Sequence, residues 1–132
     1  MSPFRPQDAN VFRPYPDEVP WELLLLADPD EDRVAGYLDA DFMRVAKVDD
    51  EAVGVYVIRA LTPTCYELLN LAVAPAYRRQ GLGRWLLGHA IGIAESKGGR
   101  EIILRNTPRS SLFERTGFRA EGADLRLVLM PE

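Results

Sequence analysis

Cysteine, histidine and long apolar runs are scarce in this sequence, and each scarcity excludes a class of protein. The single cysteine, Cys65, rules out an internal disulfide framework and gives no sign of secretion. With one histidine besides, a zinc site would consist mainly of carboxylates, so we expect no metal. The longest uninterrupted apolar run, 23–27, has five residues, against roughly 18 for a membrane span. Because the N-terminus also lacks the apolar core of a signal peptide, we expect a cytoplasmic protein with no membrane partner.

Positive charge is not in excess either. Twenty acidic residues outnumber sixteen basic ones, and the net charge of -4 argues against nucleic acid as a partner. The same charge mildly favours an amine-bearing substrate. The 132 residues are enough for one domain with one modest core, and 47% hydrophobic residues are ordinary for such a domain.

Prolines are concentrated at the start of the chain, where five of the ten lie within the first twenty residues. This predicts that residues 1–19 form an extended, proline-rich arm and that residues 20–132 form the folded domain. We expect residues 10–13 to supply at most a short first strand, because Pro14 and Pro16 prevent its extension. The arm is long enough to reach across a homodimer.

Hydrophobic periodicity predicts the element order α-α-β-β-β-α-β-α-β in the folded domain. Asp28 followed by Pro29 is typical of a helix start, with Asp28 as the N-cap, and this helix should end near Leu38 or Asp39. The order predicts an α/β (α+β) fold in which helices flank a mixed, mostly antiparallel sheet. Besides that helix, the predicted helices are 21–27, 82–97 and 109–115, and the predicted strands are 42–48, 52–60, 65–73, 100–105 and 125–130.

A loop between an apolar strand and the long helix carries the strongest functional signal. Gly81 and Gly83 have no Cβ, so an anion can approach the unpaired N–H groups at the positive end of the helix. Arg78, Arg79 and Arg84 add positive charge around them. The loop therefore predicts a pyrophosphate cradle. It is not a Walker loop or a dinucleotide fingerprint, because it lacks the Gly-Lys-Ser/Thr ending of the first and the third glycine of the second.

Two segments resemble the GNAT superfamily of acetyl-CoA-dependent N-acetyltransferases. The stretch Arg78-Arg79-Gln80-Gly81-Leu82-Gly83 is similar to the family's Gln/Arg-x-x-Gly-x-Gly/Ala loop, at the family's distance from a hydrophobic strand. The family's Asn-x-x-Ala-x-x-Leu-Tyr-x-x-x-Gly-Phe segment is matched in spacing by Asn106, Leu112, Phe113, Gly117 and Phe118. The resemblance covers residues 21–130.

The resemblance implies where acetyl-CoA, the co-substrate, would bind. In the family it lies in a V-shaped gap where the strand before the loop splays away from the strand after the long helix. For this sequence, the resemblance implies that backbone groups of Leu71 and Val73 hold the thioester and pantetheine and that Asn106 contacts the pantetheine. An N–H near Leu71 or Ala72 stabilises the oxyanion. The pyrophosphate would lie on the loop residues Arg78, Arg79, Gln80, Gly81, Leu82, Gly83 and Arg84.

Glu67 is the candidate general base. Strand alternation places its carboxylate on the same face as Leu69, Leu71 and Val73, and some family members carry a catalytic glutamate at this offset. An amine with a pKa near ~10.4 must lose a proton before it attacks, and Glu67 would accept that proton directly or through water. The alternative is a solvent-facing charge at the strand entrance.

Phe113 is the main departure from the family pattern. Most members have a tyrosine here, which is thought to protonate the departing CoA thiolate, whereas phenylalanine has no proton to give. We therefore place Phe113 among the cofactor contacts only. Tyr56, Tyr66 and Tyr77 are candidates for a substitute acid.

The resulting prediction is direct transfer of acetyl from acetyl-CoA to a primary amine of a small molecule or peptide. One alternative is a GNAT-like acyl-CoA-binding module with weak or no catalysis, for which Phe113 is the best argument. Another is an enzyme that transfers a longer acyl group. The acidic residues of the first two helices are either a solvated face or an amine-attracting wall; they are Asp28, Asp30, Glu31, Asp32 and Asp39.

Overall fold

The computed structural model describes residues 5–40, 42–105, 107 and 110–129, and these form a seven-stranded mixed sheet of order β1-β2-β3-β4-β5-β7-β6. β4 and β5 are parallel, and every other neighbouring pair is antiparallel. The predicted fold class is thereby confirmed. The strands are β1 Asn10–Phe12, β2 Phe42–Val48, β3 Glu51–Thr62, β4 Cys65–Val73, β5 Glu101–Leu104, β6 Arg119–Glu121 and β7 Asp124–Val128; the α-helices are α1 Trp21–Ala27, α2 Glu31–Gly36, α3 Leu82–Ser96 and α4 Ser111–Thr116.

Helices cover both faces of the sheet, and each face has its own core. On one face, Leu24 of α1 and Val34 of α2 are buried against β2 and β3. On the other face, Leu86 and Ala90 of α3 pack against the same central strands. The helix α3 comes so close to β3 that a Cβ on Gly54 would lie 2.6 Å from Leu86 Cδ1. Glycine at this position therefore allows the close approach of α3 that places the loop before it against the sheet.

The predicted hairpin between the second and third strands is confirmed. Val48 pairs with Glu51 across a two-residue turn, in which Asp49 and Asp50 both adopt left-handed backbone conformations, with φ of 50° and 66°. This geometry matches the right-handed twist of the flanking strands. β3 runs from Glu51 to Thr62, beyond the predicted 52–60, because it pairs with β2 on one side and β4 on the other.

The start and end of the second helix differ from the prediction. α2 begins at Glu31, and its N-cap is Asp30, whose side chain accepts a hydrogen bond from the backbone N–H of Arg33. Asp28 instead ends α1 and binds the Arg33 guanidinium, with Nε and Nη2 donating at 2.9 and 2.8 Å. The helix ends at Gly36 rather than near residue 38. Both aspartates suit an N-cap, and the ion pair with Arg33 gives Asp28 a different role.

The first strand is short, as expected. β1 has three residues and pairs antiparallel with β2, from Asn10↔Lys47 to Phe12↔Val45. Ala9, directly before it, is buried in the core on the α3 face, so part of the segment expected to be an unpacked arm lies against the domain. The division of the chain at residue 19 and the homodimer stay predictions.

The C-terminal elements follow the prediction closely. α3 ends one residue before the predicted 97, and Gly117, with φ of +115°, ends α4. β7 pairs with β5 and returns the chain to the sheet. β6 was not predicted, because its three residues are all exposed and show no apolar alternation.

Candidate active site

β4 and β5 diverge and open a gap in the sheet. They pair over three positions only, the last being Glu67↔Ile103. β5 ends at Leu104, whereas β4 continues to Val73, so one edge of residues 68–73 has no strand partner among the residues that the structure describes. The backbone N–H and C=O groups of such an edge can pair with an extended ligand. The splayed strands implied by the resemblance are therefore present.

A β-bulge in β4 changes which side chains face the site. The register with β3 shifts by one residue at Leu69. Glu67 and Asn70 consequently lie on the face covered by α1 and α2, whereas Leu71 and Val73 pack with the core on the α3 face. The prediction that Glu67 shares a face with Leu71 and Val73 is wrong, because strict alternation does not continue through a bulge. Glu67 shares its face with Leu69.

The loop before α3 and the helix α4 enclose a cationic cavity of about 690 Å³, which we call the loop cavity. Gly81 is the N-cap of α3, with φ of +87° and no side-chain cap, so the first N–H groups of the helix have no side-chain acceptor. Three guanidinium groups surround this helix end, and together they form an anion site. The lining residues are Arg79, Gly81, Gly83, Arg84, Leu112, Arg115 and Thr116.

Not every predicted loop residue lines the loop cavity. Arg78 Nε donates to the carbonyl of Val73 at 3.1 Å, and Gln80 Nε2 donates to the carbonyl of Ala76 at 3.1 Å. Leu82 is buried in the core. These three side chains therefore hold the loop in place. Arg115 was not predicted, since it reaches the cavity only through the packing of α4 beside the start of α3.

A second cavity, of about 190 Å³, lies where β4 and β5 part, and we call it the gap cavity. Phe113 lines it, with its ring edge-on to that of Phe118 and the centroids 5.5 Å apart. Leu71 lines it too, while the side chain of Ala72 is buried on the α1 face. Asn106 lies outside the described residues. The full lining is Ala27, Leu68, Leu69, Asn70, Leu71, Leu104, Thr107 and Phe113.

A third cavity, of about 660 Å³, adjoins the gap cavity on the α1 and α2 face, and we call it the arginine cavity. The two cavities share four lining residues, so they have a common wall. The arginine cavity is lined by Ala27, Asp28, Pro29, Arg33, Gly36, Tyr37, Arg59, Glu67, Leu68, Leu69, Arg105 and Thr107. Of the five acidic residues considered for an amine-attracting wall, Asp28 alone lines it.

Two guanidinium groups hold the Glu67 carboxylate. Arg105 donates from Nη2 to Oε1 at 2.7 Å and from Nε to Oε2 at 2.8 Å, and Arg59 Nη2 donates to Oε1 at 3.0 Å. Burial by itself raises the pKa of Glu67, but the hydrogen bonds and charges of Arg105 and Arg59 outweigh burial and lower the pKa overall. A carboxylate held in this way is a weak proton acceptor. The role of Glu67 as a base stays a prediction.

A buried polar chain that was not predicted runs beside the arginine cavity. The Tyr37 hydroxyl donates to Asp28 Oδ2 at 3.2 Å and accepts from Asn70 Nδ2 at 2.9 Å. Asn70 Oδ1 is buried and has no hydrogen-bond partner among the described residues. Burial raises the pKa of Tyr37. The pKa of Asp28 is lowered, and the main cause is its hydrogen bond with Arg33. The sequence signal for these polar contacts was Asn70, a polar residue between two leucines of β4.

The three tyrosines considered as substitute acids do not line any of these cavities. Tyr56 and Tyr66 are buried in the core on the α3 face, where the Tyr56 hydroxyl lies 2.5 Å from Nδ1 of His89. Tyr77 follows β4 on the same side of the sheet. Tyr37 is the tyrosine that lines the arginine cavity.

In the part of the chain that the structure describes, no group of three or more His, Cys, Asp or Glu side chains is arranged to hold a metal ion. No described helix is both long and apolar enough to cross a membrane.

Comparison with known proteins gives a consistent result. Residues 4–118 match the sequence model described as the acetyltransferase (GNAT) family. The N-acetyltransferase YvbK of Bacillus subtilis (strain 168) is 36% identical over 112 residues, which are 82% of this chain and 72% of that protein. A GNAT family acetyltransferase from Elizabethkingia anophelis, solved with acetyl-CoA bound, superposes with a TM-score of 0.82 at 26% identity, covering 92% of this chain and 99% of that one. A Bacillus subtilis acetyltransferase in complex with CoA gives a TM-score of 0.76 at 29% identity, with 92% and 98% covered.

Proposed function

Because this chain belongs to the acetyltransferase (GNAT) family, we propose that it is an N-acetyltransferase that moves acetyl directly from acetyl-CoA to a primary amine. The observation that carries this proposal is a series of three neighbouring cavities, two of which are lined by β4. The loop cavity and the gap cavity both contact α4, through Leu112 and Phe113, and the gap cavity shares four lining residues with the arginine cavity. One elongated donor and one acceptor can therefore meet where β4 and β5 part.

The donor site combines positive side-chain charge with backbone groups that lack partners among the described residues. The pyrophosphate lies in the loop cavity, on the N–H groups of the first turn of α3 and beside Arg79, Arg84 and Arg115. The pantetheine pairs with the free edge of residues 68–73. The thioester then reaches the gap cavity, beside Leu71 and Phe113.

The chemical step needs a neutral amine, an oxyanion site and a leaving thiolate. The amine nitrogen attacks the thioester carbonyl from the arginine cavity, and an N–H near Leu71 or Ala72 stabilises the oxyanion. The C–N bond forms, the C–S bond breaks, and the amine proton passes to solvent or to Glu67. CoA leaves as a thiolate without a tyrosine at residue 113, which its pKa near ~8.5 allows at neutral pH.

Activity and binding should be measured together. CoA release is followed with a thiol-reactive dye across a panel of primary amines, and acetyl-CoA binding is followed by calorimetry. We expect amine-dependent CoA release and a product heavier by one acetyl group in mass spectrometry. The intact protein incubated with acetyl-CoA alone should gain no mass, since transfer is direct and Cys65 lines none of the three cavities.

The binding-module alternative is favoured by one observation, the phenylalanine at residue 113 in the gap cavity. It predicts acetyl-CoA binding with no CoA release for any amine, and that result would overturn the proposed transfer. A faster reaction with propionyl-CoA or a longer donor would instead change the acyl group in the proposal.

A further inference from the structure

We propose that the arginine cavity binds an oxyanion of the acceptor, a carboxylate or a phosphate carried beside the reacting amine, on Arg59 and Arg105. The proposal rests on the acetyl transfer proposed above and names its acceptor class. It concerns one wall of the arginine cavity, where β3, β4 and the end of β5 lie side by side.

The charges in this cavity do not balance. Among the residues that the structure describes, three guanidinium groups and two carboxylates line it. Arg33 and Asp28 form one pair at 2.8 Å, so within this described set Glu67 is the carboxylate that both Arg59 and Arg105 contact. Asp124 contributes a weaker electrostatic attraction to Arg105, but it does not line the cavity. The wall formed by Arg59 and Arg105 therefore keeps a positive charge in a protein whose net charge is -4.

The geometry presents this charge to a ligand. Glu67 lies beneath the two arginines, with its side chain 7% exposed, while the side chains of Arg59 and Arg105 are 40% and 47% exposed. Both arginines use Nε and Nη2 for Glu67, and Nη1 of each makes no bond to it. Glu67 thus fixes the two planar groups, whose remaining N–H donors suit the oxygens of a carboxylate or phosphate.

The same charge discriminates between acceptors. A second cationic group on the acceptor is repelled from this wall, so polyamines should be poor substrates. An anionic group close to the amine is attracted, and the arginines lower the pKa of the ammonium ion that must lose its proton. The net charge favoured an amine-bearing substrate, and the local charge of the site indicates that this amine also carries an anion.

The test compares acceptors with and without the anion: glycine with glycinamide for a carboxylate, and phosphoethanolamine with ethanolamine for a phosphate. Because the anion also raises the pKa of the amine, each kcat/KM is calculated from the concentration of neutral amine. We expect kcat/KM about tenfold or more higher for the anionic member of at least one pair, as for charge-assisted hydrogen bonds. The pair with the larger ratio identifies the anion. Equal rates, or faster reaction of both neutral members, would overturn the proposal.

Variants locate the effect. Arg59→Gln should reduce the anionic-to-neutral ratio at least about fivefold, and Arg59→Lys, which keeps the charge without the planar fork, should reduce it less. Arg119→Gln removes the same charge from the exposed strand β6, outside the cavity, and should leave the ratio unchanged. Unaltered acetyl-CoA affinity in each variant would show that it is folded. An unchanged ratio in a folded Arg59→Gln variant would contradict the assignment.

A binding measurement separates this proposal from the transfer itself. Binding of N-acetylglycine and N-acetylglycinamide to the protein saturated with CoA requires no turnover, and so does the corresponding phosphate pair. If no amine is acetylated, tighter binding of an anionic member would still support the oxyanion site, while equal affinities within both pairs would overturn it.

Discussion

The loop cavity and the arginine cavity differ in how they are built. The loop cavity takes four of its lining residues from one stretch, residues 79–84, and its chemistry depends on the backbone of a helix start. The arginine cavity takes its charged side chains from α2, β3, β4 and the chain segments that follow α1 and β5. A site made from contiguous backbone is visible as a motif, whereas a site made from scattered side chains depends on strand register and helix docking.

This difference also separates what the two sites are expected to do. The loop cavity suits a feature that all acyl-CoA donors share, the pyrophosphate. In the proposal above, the charges of the arginine cavity select the acceptor. Changes in the loop cavity should therefore act on donor affinity, and changes in the arginine cavity should act on acceptor choice and rate.

The largest effect is expected from Gly83→Asp in the loop cavity. The new carboxylate lies beside the helix N-terminus, where the proposed pyrophosphate binds, and should weaken acetyl-CoA binding by about tenfold or more in calorimetry. Gly83→Ala is the matched control, because its Cβ would meet Leu112 and Val73 at the ordinary contact distances of 3.6 and 3.7 Å. Unchanged affinity in a folded Gly83→Asp variant would remove the pyrophosphate from this cavity.

A smaller effect is expected from Glu67→Gln in the arginine cavity. If Glu67 chiefly positions Arg59 and Arg105, kcat should fall only a few-fold while KM for the acceptor changes. Loss of a general base would instead lower the rate by about 10²–10⁴-fold. Steady-state rates between pH 6 and pH 10 distinguish these two results. A decrease in kcat of the larger size would support Glu67 as the general base.

The dependence of the rate on pH tests whether an acid protonates the leaving CoA thiolate, and here we expect changes in rate of only a few-fold. With phenylalanine at residue 113, the rate should rise as the amine loses its proton and then level, with no decline before about pH 9.5. Tyr37 lines the arginine cavity, but burial raises its pKa, so its ionisation would act only at still higher pH. Phe113→Tyr should increase the neutral-pH rate a few-fold if its hydroxyl reaches the sulfur. A decline before about pH 9.5 that is not caused by unfolding would reveal another acid.

The smallest effect is expected in the stability of the protein towards acid, to which Asp28 and Glu67 of the arginine cavity contribute. Asp28 and Glu67 have lowered pKa values in the folded protein, so they bind protons less readily there than in the unfolded chain. Their stabilising contribution is present above the ordinary pKa values of about 3.9 and 4.3 and is lost as the pH falls through the lowered ones.

Thermal melts from pH 7 to pH 3 measure this contribution. The Tm of the wild type should decrease steeply below about pH 4.3, and the Tm of Glu67→Gln should depend less on pH in that range. Arg84→Gln, in the loop cavity, is the control, and its Tm should depend on pH as that of the wild type does. Parallel slopes for Glu67→Gln and wild type would contradict the ion-pair account of Glu67.

Much of the architecture was predictable from the sequence because it depends on local signals. The strand-period pattern of β2, the nearly all-apolar run of β4, the glycines around the loop before α3 and Gly117 after α4 indicated the element order, with errors of a few residues at the ends. β6 was missed because three exposed residues carry no periodic signal. The start of α2 was misplaced because Asp28 and Asp30 both suit an N-cap.

Sequence by itself thus determined the fold class, the glycine-containing loop before α3 and the family, since each depends on residues close together in the chain. Only the tertiary structure decided the arginine cavity. The bulge at Leu69 turned Glu67 away from Leu71, and the pairing of β3, β4 and β5 brought Arg59 and Arg105 onto its carboxylate. A one-residue change in register reverses every side chain beyond it, and no local pattern in β4 shows where that change occurs.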